Sequence, residues 1–150
     1  MADFVLPEHV LLDYDAASRE DALRYLADKG TEFGFTADAD AVYQAFLARE
    51  EIAETGLTDG FAVPHAKSAA ITKAGLAVIK LARALEWPSF DQKPVDIALA
   101  LFVPDGEVGT THLRLLAKAA TMLMNEEFRN KLRASHDAVE IAALVNAGLE

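Results

Sequence analysis

The sequence predicts an α/β protein, a three-layer α/β/α sandwich with a central mixed sheet flanked by helices. Three observations predict it. The run Val95 to Val103 (VDIALALFV) is apolar almost throughout, as a strand covered on both faces should be. Stretches with apolar residues at i, i+3 and i+4 lie on both sides of the strand-rich middle of the chain. The chain has 150 residues, 52% hydrophobic and 25% charged, enough for one substantial core. Residues 1–150 are read as a single domain, because no repeat, low-complexity tract or Pro/Gly/Ser-rich linker divides them.

His9 to Asp13 (HVLLD) reads as a first strand. Ser18 then has the character of a helix N-cap with Asp21 three residues on. Leu23, Leu26 and Ala27 share one face, and Gly30 is expected to stop this helix. Thr36 is expected to open a second helix. Val42, Ala45 and Phe46 make its apolar stripe, and it should end near Glu51. Glu54 to Gly60 (ETGLTDG) is rich in turn residues. Three strands follow, at Phe61 to Val63, Gly75 to Leu81 and Val95 to Val103, the last closed by the turn Pro104-Asp105-Gly106. Thr111 is expected to cap a long amphipathic helix carrying Leu113, Leu116, Ala117 and Ala120 inward. Asn125 should cap a short helix with Phe128 and Leu132, and Ser135 a last one with Val139, Ala142 and Ala143 inward.

The totals narrow the function. A formal charge of −10 and a pI of about 4.8 set nucleic acid aside as the main partner, since a phosphate backbone would repel the chain. They disfavour an anionic membrane surface for the same reason and favour a basic or neutral protein partner. No apolar run approaches the ~20 residues that span a bilayer, and the N-terminus, MADFVLPEHV, lacks a secretory pattern, so no membrane insertion is expected. Without cysteine there is no disulfide, thiolate chemistry or Cys-ligated zinc, which fits a reducing cytoplasm.

Three residues are candidates for chemistry. His65 follows Pro64, which fixes its own φ and holds Val63 extended, so the imidazole sits on a stiff backbone at a strand end, where α/β sheets gather ligands. It also fits a turn histidine bonded to a carbonyl. His112 falls in the first turn of a predicted helix, where free amides and the helix dipole favour an anion, or it is a helix-start residue without a role. Arg49, near the end of the second helix, either complements that helix C-terminus or grips phosphate oxygens. His9 and His136 read as structural or exposed.

Together these residues carry a resemblance. AREEIAETGLTDGFAVPHAKSAAI, Ala48 to Ile71, resembles the phosphohistidine signature of enzyme IIA domains of the bacterial phosphoenolpyruvate-dependent sugar phosphotransferase system, fructose–mannitol (type 2) class. KPVDIALALFVPDGEVGTTHLRLLAKAATMLMNEEFRNKL, Lys93 to Leu132, resembles the second block of the same family. The specific combination is Pro64-His65-Ala66, preceded by Arg49-Glu50 and followed by Thr111-His112-Leu113. The resemblance implies the same three-layer fold. It implies a phosphotransferase component in which His65 accepts a phosphoryl group from the phosphocarrier HPr and passes it to an enzyme IIB domain of a sugar transporter. His112 matches the second active-site histidine and Arg49 the active-site arginine. Thr58 stands where many members carry glycine, and Phe61 where many carry a branched aliphatic residue.

The chemistry expected is transfer to a neutral imidazole, with negative charge in the loose transition state met by His112, backbone amides near Thr111 and Arg49. No metal and no cofactor is required. The site should be a shallow depression rimmed by Phe61, Val63 and part of the Pro104–Thr110 loop. Three alternatives remain open: a regulatory, nitrogen-type enzyme IIA using the same His65 chemistry to control protein partners; a metal-dependent hydrolase using His65, His112 and a carboxylate such as Asp105; and an interaction domain without chemistry.

Overall fold

The computed structural model describes residues 4–105 and 110–149, and for residues 110–113 the backbone only. A 3-10 turn, Pro7–His9, leads into β1 (Val10–Tyr14). Two helices follow, α1 (Arg19–Glu32) and α2 (Ala39–Ile52). Four strands come next: β2 (Phe61–Ala62), β3 (His65–Ser68), β4 (Gly75–Leu85) and β5 (Val95–Pro104). The helices α3 (Thr110–Met124), α4 (Glu126–Ala134) and α5 (Ala138–Leu149) close the chain. The sheet runs β1-β4-β5-β2, with β3 also paired to β5. β4 and β5 are antiparallel, and every other pairing is parallel, so the sheet is mixed as expected.

The two central strands bury both faces, and their alternating side chains divide the core. Ala77, Ile79, Ala98, Ala100 and Phe102 pack with α1 and α2. Leu76, Val78, Ile97, Leu99 and Leu101 pack with α3, α4 and α5. This makes the three layers.

Several local expectations shift. His9 belongs to the 3-10 turn and β1 starts at Val10. Ser18 does cap α1, accepting from the Asp21 amide. Gly30 does not end that helix. It lies inside, buried, and a Cβ there would stand 2.9 Å from the Phe102 ring, so it is a packing glycine. Thr36 does not cap α2: Asp38 does, accepting from the Ala41 amide, while the Thr36 hydroxyl donates to the Ala70 carbonyl and accepts from the Asp38 amide. Asn125 caps α4 as expected. For α5 the cap is Asp137, which accepts from the Val139 and Glu140 amides, and Ser135 supports it by accepting from the Asp137 amide. The expected Thr111 cap lies outside the described side chains, and α3 begins at Thr110.

Candidate functional site

The site is assembled at the sheet edge where β2 hands over to β3. Asp59 and Gly60 both have positive φ, so Thr58 to Phe61 forms a tight reversal with the Phe61 amide on the Thr58 carbonyl. β2 then pairs with Ile97 and Ala98, and β3 pairs with Leu101 to Pro104 of the same strand. Between them Val63 and Pro64 leave the ladder. The Val63 amide donates to the Thr55 carbonyl at 2.9 Å, and the Pro64 carbonyl accepts from Leu101 at 2.9 Å. Proline tolerates this place because it has no N–H to leave unpaired. His65 therefore opens β3; it does not follow a strand end. The strand it starts is absent from the sequence-based expectation.

The imidazole is half-buried and held at both nitrogens. Arg49, in the last turn of α2, donates from Nε to His65 Nε2 at 2.8 Å, and its Nη1 donates to the Ala53 carbonyl at 2.7 Å. A guanidinium only donates, so Nε2 must carry the lone pair. The proton is then on Nδ1, which stands 3.1 Å from the Val63 carbonyl and donates to it. One tautomer satisfies both contacts. Burial lowers the affinity of the ring for a second proton; the Val63 bond opposes this, and the Arg49 charge adds to the lowering. The result at neutral pH is an uncharged imidazole with its lone pair at Nε2, aimed at the Arg49 guanidinium. Such a nitrogen can act as a nucleophile toward an anionic electrophile.

The remaining candidates divide. His112 falls in the first turn of α3, but its imidazole, the Thr111 side chain and residues 106–109 lie outside what the structure describes. Phe61 is fully buried and Val63 is 4% exposed, so neither forms a rim. The exposed apolar residue near Arg49 is Ile52, 78% exposed at the end of α2. Asp105 faces Lys67 at 3.9 Å. With Arg49 on the Nε2 lone pair, the first step of a metal-dependent scheme through His65 and Asp105 finds no support in the contacts of either residue. His9 is buried and structural, and His136 is exposed. Thr58 donates to Asp91 at 3.3 Å, and the neighbouring Asp59 amide donates to the same carboxylate at 2.9 Å, which ties this loop to the one at Ser89–Lys93.

A second set of residues, behind the site, had no place in the sequence-based candidates. The Glu50 side chain is 2% exposed. It accepts from the Thr55 hydroxyl at 2.5 Å, and that hydroxyl accepts from the Trp87 indole at 3.2 Å. A signal was available: Val42, Phe46 and Glu50 are spaced four apart, which puts an acid on the apolar stripe of α2.

An α/β sandwich presenting a neutral, arginine-gripped imidazole at its sheet edge defines a class of site, one suited to receiving an anionic group. The comparisons with known proteins specify the family. Residues 3–148 match the model of the family described as phosphoenolpyruvate-dependent sugar phosphotransferase system, EIIA 2, and the chain belongs to that family. It is 34% identical to a nitrogen regulatory protein of Bradyrhizobium diazoefficiens, over 97% of this chain and 94% of the other. It is 34% identical to a fructose-specific EIIA component of Haloferax volcanii, over 83% of this chain and 80% of the other. The solved nitrogen regulatory protein IIA-Ntr of Neisseria meningitidis superposes with a TM-score of 0.87 at 26% identity, covering 95% of this chain and 96% of that one.

Proposed function

We propose that the protein is a phosphoryl carrier whose acceptor atom is Nε2 of His65. The observation that carries this reading is the pair of contacts on that ring: Nδ1–H on the Val63 carbonyl and Nε2 under the Arg49 guanidinium. A phosphorylated HPr-type carrier docks on the open side. The Nε2 lone pair forms the new P–N bond as the donor's P–N bond breaks and its electron pair returns to the donor imidazole. Nδ1 keeps its proton on Val63 throughout, so no base is needed. Arg49 gives up Nε2 to the incoming phosphorus and turns its N–H groups onto the phosphoryl oxygens, where charge accumulates in the loose transition state. His112 adds a donor from the first turn of α3. One such donor is typically worth roughly 3–4 kcal/mol of barrier. The reverse chemistry delivers the group to an enzyme IIB domain.

Two destinations share this chemistry. In the transport reading the group goes on to a IIB domain of a fructose- or mannitol-type transporter, which the Haloferax relative supports. In the regulatory reading the phosphorylation state of His65 sets binding to other proteins. The near end-to-end match to a nitrogen regulatory protein favours it equally. Among the described residues no helix is long and apolar enough to cross a membrane, and we place the exchange in the cytoplasm.

The test is uptake of labelled phosphate from phosphorylated HPr. The wild-type chain takes up one acid-labile, alkali-stable phosphate, and His65→Ala takes up none. Labelling of His65→Ala would overturn the assignment. Chasing the labelled chain with a IIB domain separates the destinations: rapid loss of label supports transport, and retention supports regulation.

A further inference from the structure

Both nitrogens of His65 are held by residues whose own positions trace back to one buried acid. Arg49, which grips Nε2, is the chain neighbour of Glu50 in the last turn of α2. Val63, whose carbonyl holds Nδ1–H, is held in turn by the Thr55 carbonyl through its amide. The Thr55 hydroxyl is fixed between Glu50 Oε2, to which it donates, and the Trp87 indole N–H, from which it accepts. A single turn of helix α2 thus touches the imidazole from two directions, directly through Arg49 and indirectly through Thr55 and Val63.

The rest of the carboxyl shows that this placement works against burial. Glu50 Oε1 has no hydrogen-bond partner among the described residues. Its nearest cation, Arg19 Nη1, is 3.7 Å away, and Arg19 is also engaged with Glu20. Burial raises the affinity of the Glu50 carboxyl for a proton, against the bond from Thr55 and the fields of Arg19 and Arg49. A half-satisfied buried acid is costly in a core. Leucine would extend the Val42–Phe46 stripe at no such cost, so stability alone does not account for an acid there.

We propose that Glu50 is a positioning residue for phosphoryl transfer: through Thr55 and Val63 it locks His65 in the tautomer that bears its lone pair on Nε2. This rests on the phosphoryl-carrier reading above, but the lock itself is a property of the unphosphorylated chain. When it is cut, the Thr55–Val63 tether slackens, the Val63 carbonyl drifts from Nδ1, and the ring samples the tautomer with its proton on Nε2. That tautomer offers no lone pair to phosphorus at the atom facing Arg49.

The experiment uses nitrogen-15 spectra of the His65 ring at pH 8, and uptake from phosphoramidate, a small donor that needs no docking surface. The variants are Glu50→Ala, Glu50→Gln and Thr55→Val, the last removing only the hydroxyl and keeping the shape. In the wild type the two ring nitrogens should differ as one protonated and one bare nitrogen. In Glu50→Ala and Thr55→Val their shifts should converge and uptake should fall roughly tenfold, as for a reacting group moved slightly off its geometry. Glu50→Gln keeps an acceptor for Thr55 and should lose less than Glu50→Ala. Wild-type ring shifts in Glu50→Ala and Thr55→Val would overturn the proposal, as would slower uptake with the tautomer intact. Should Glu50→Ala not fold, Thr55→Val decides alone. A failed carrier reading would show itself separately, as wild-type uptake that survives in His65→Ala.

Discussion

Two of the described histidines are buried enough to resist protonation, and they are held in opposite tautomers. His9 is 4% exposed. Its ring packs against Phe33 and Phe35 at centroid distances of 4.8 and 5.1 Å. Its Nδ1 accepts from the Leu6 amide at 3.1 Å, so its proton is on Nε2 and its lone pair is spent inside the fold. His65 has the opposite tautomer: Nδ1 donates to a backbone carbonyl and the lone pair points to the Arg49 side chain. Burial lowers the proton affinity of both rings. A neutral imidazole is therefore not what distinguishes a site. The direction of its lone pair is, and so is the nature of the partner, an amide fixed in the backbone for His9 and a side chain able to swing for His65.

The widest contrast comes from deleting each ring. His65→Ala should lose phosphate uptake entirely and cost less stability than His9→Ala, because its ring is only half-buried. His9→Ala should retain uptake within about threefold and lose roughly 2–3 kcal/mol of stability by urea unfolding. It opens a hole against two phenylalanines and strands the Leu6 N–H. A His9 variant that loses uptake while still folded would erase the contrast. The next largest effect falls on the partner. Arg49→Gln should slow uptake roughly a hundredfold, about 3 kcal/mol of barrier. Because a neutral amide replaces the guanidinium, the proton affinity of His65 should rise toward its ordinary value. A rate change with no shift in the His65 titration would mean that Arg49 does not sit on the ring in solution.

The two rings should also separate by pH. Each has a folded-state pKa below the ordinary imidazole value of about 6.5. Above that value both states are neutral and the contribution to stability is full. As pH falls through it, the unfolded chain takes up a proton that the folded rings refuse. Stability then declines until the folded values are reached. Urea midpoints between pH 7 and pH 5 should follow this decline. His9→Ala and His65→Ala should each flatten part of it. Phosphate uptake should persist below pH 6.5, where an exposed imidazole would already be protonated.

The sequence reveals the layers and singles out the ring that Arg49 grips, and the reasons are local. An unbroken apolar strand such as Val95–Val103 must be covered on both faces, and Pro64 constrains its neighbours whatever the tertiary context. The errors come from long-range partners. Gly30 looked like a helix stop and is instead pressed against Phe102 of β5, distant in sequence. Thr36 looked like a cap and is bound to Ala70. β3 is short and polar at Lys67 and Ser68, so no period marks it; it exists because β5 offers a free ladder beside it. Lys80 sits in the middle of an apolar strand with no local hint of its role. In the structure its ammonium donates to the carbonyls of Leu132, Arg133 and Ser135 and closes the C-terminus of α4. Glu50 is of the same kind, an acid on an apolar stripe whose meaning depends on Thr55 and Trp87.

The smallest effect concerns the loop that feeds the reactive edge. The Thr58 hydroxyl makes a long bond of 3.3 Å to Asp91, whose carboxylate also accepts the Asp59 and Lys93 amides and the Ser89 hydroxyl. These contacts hold Asp91 in its charged form, the Asp59 amide most of all. Thr58→Ala removes the longer of the two bonds by which this loop holds the Asp91 carboxylate, at a half-buried site, and leaves the Asp59 amide in place. The Tm should drop by no more than about 2 °C. The tautomer at His65 should not change, because the path that sets it runs through Thr55 and Val63 and not through the Thr58–Gly60 reversal. Ring nitrogen shifts of His65 in Thr58→Ala test that separation. If they move as far as in Thr55→Val, the ring is held by the loop as a whole, and the difference between the two histidines reduces to how tightly each is packed.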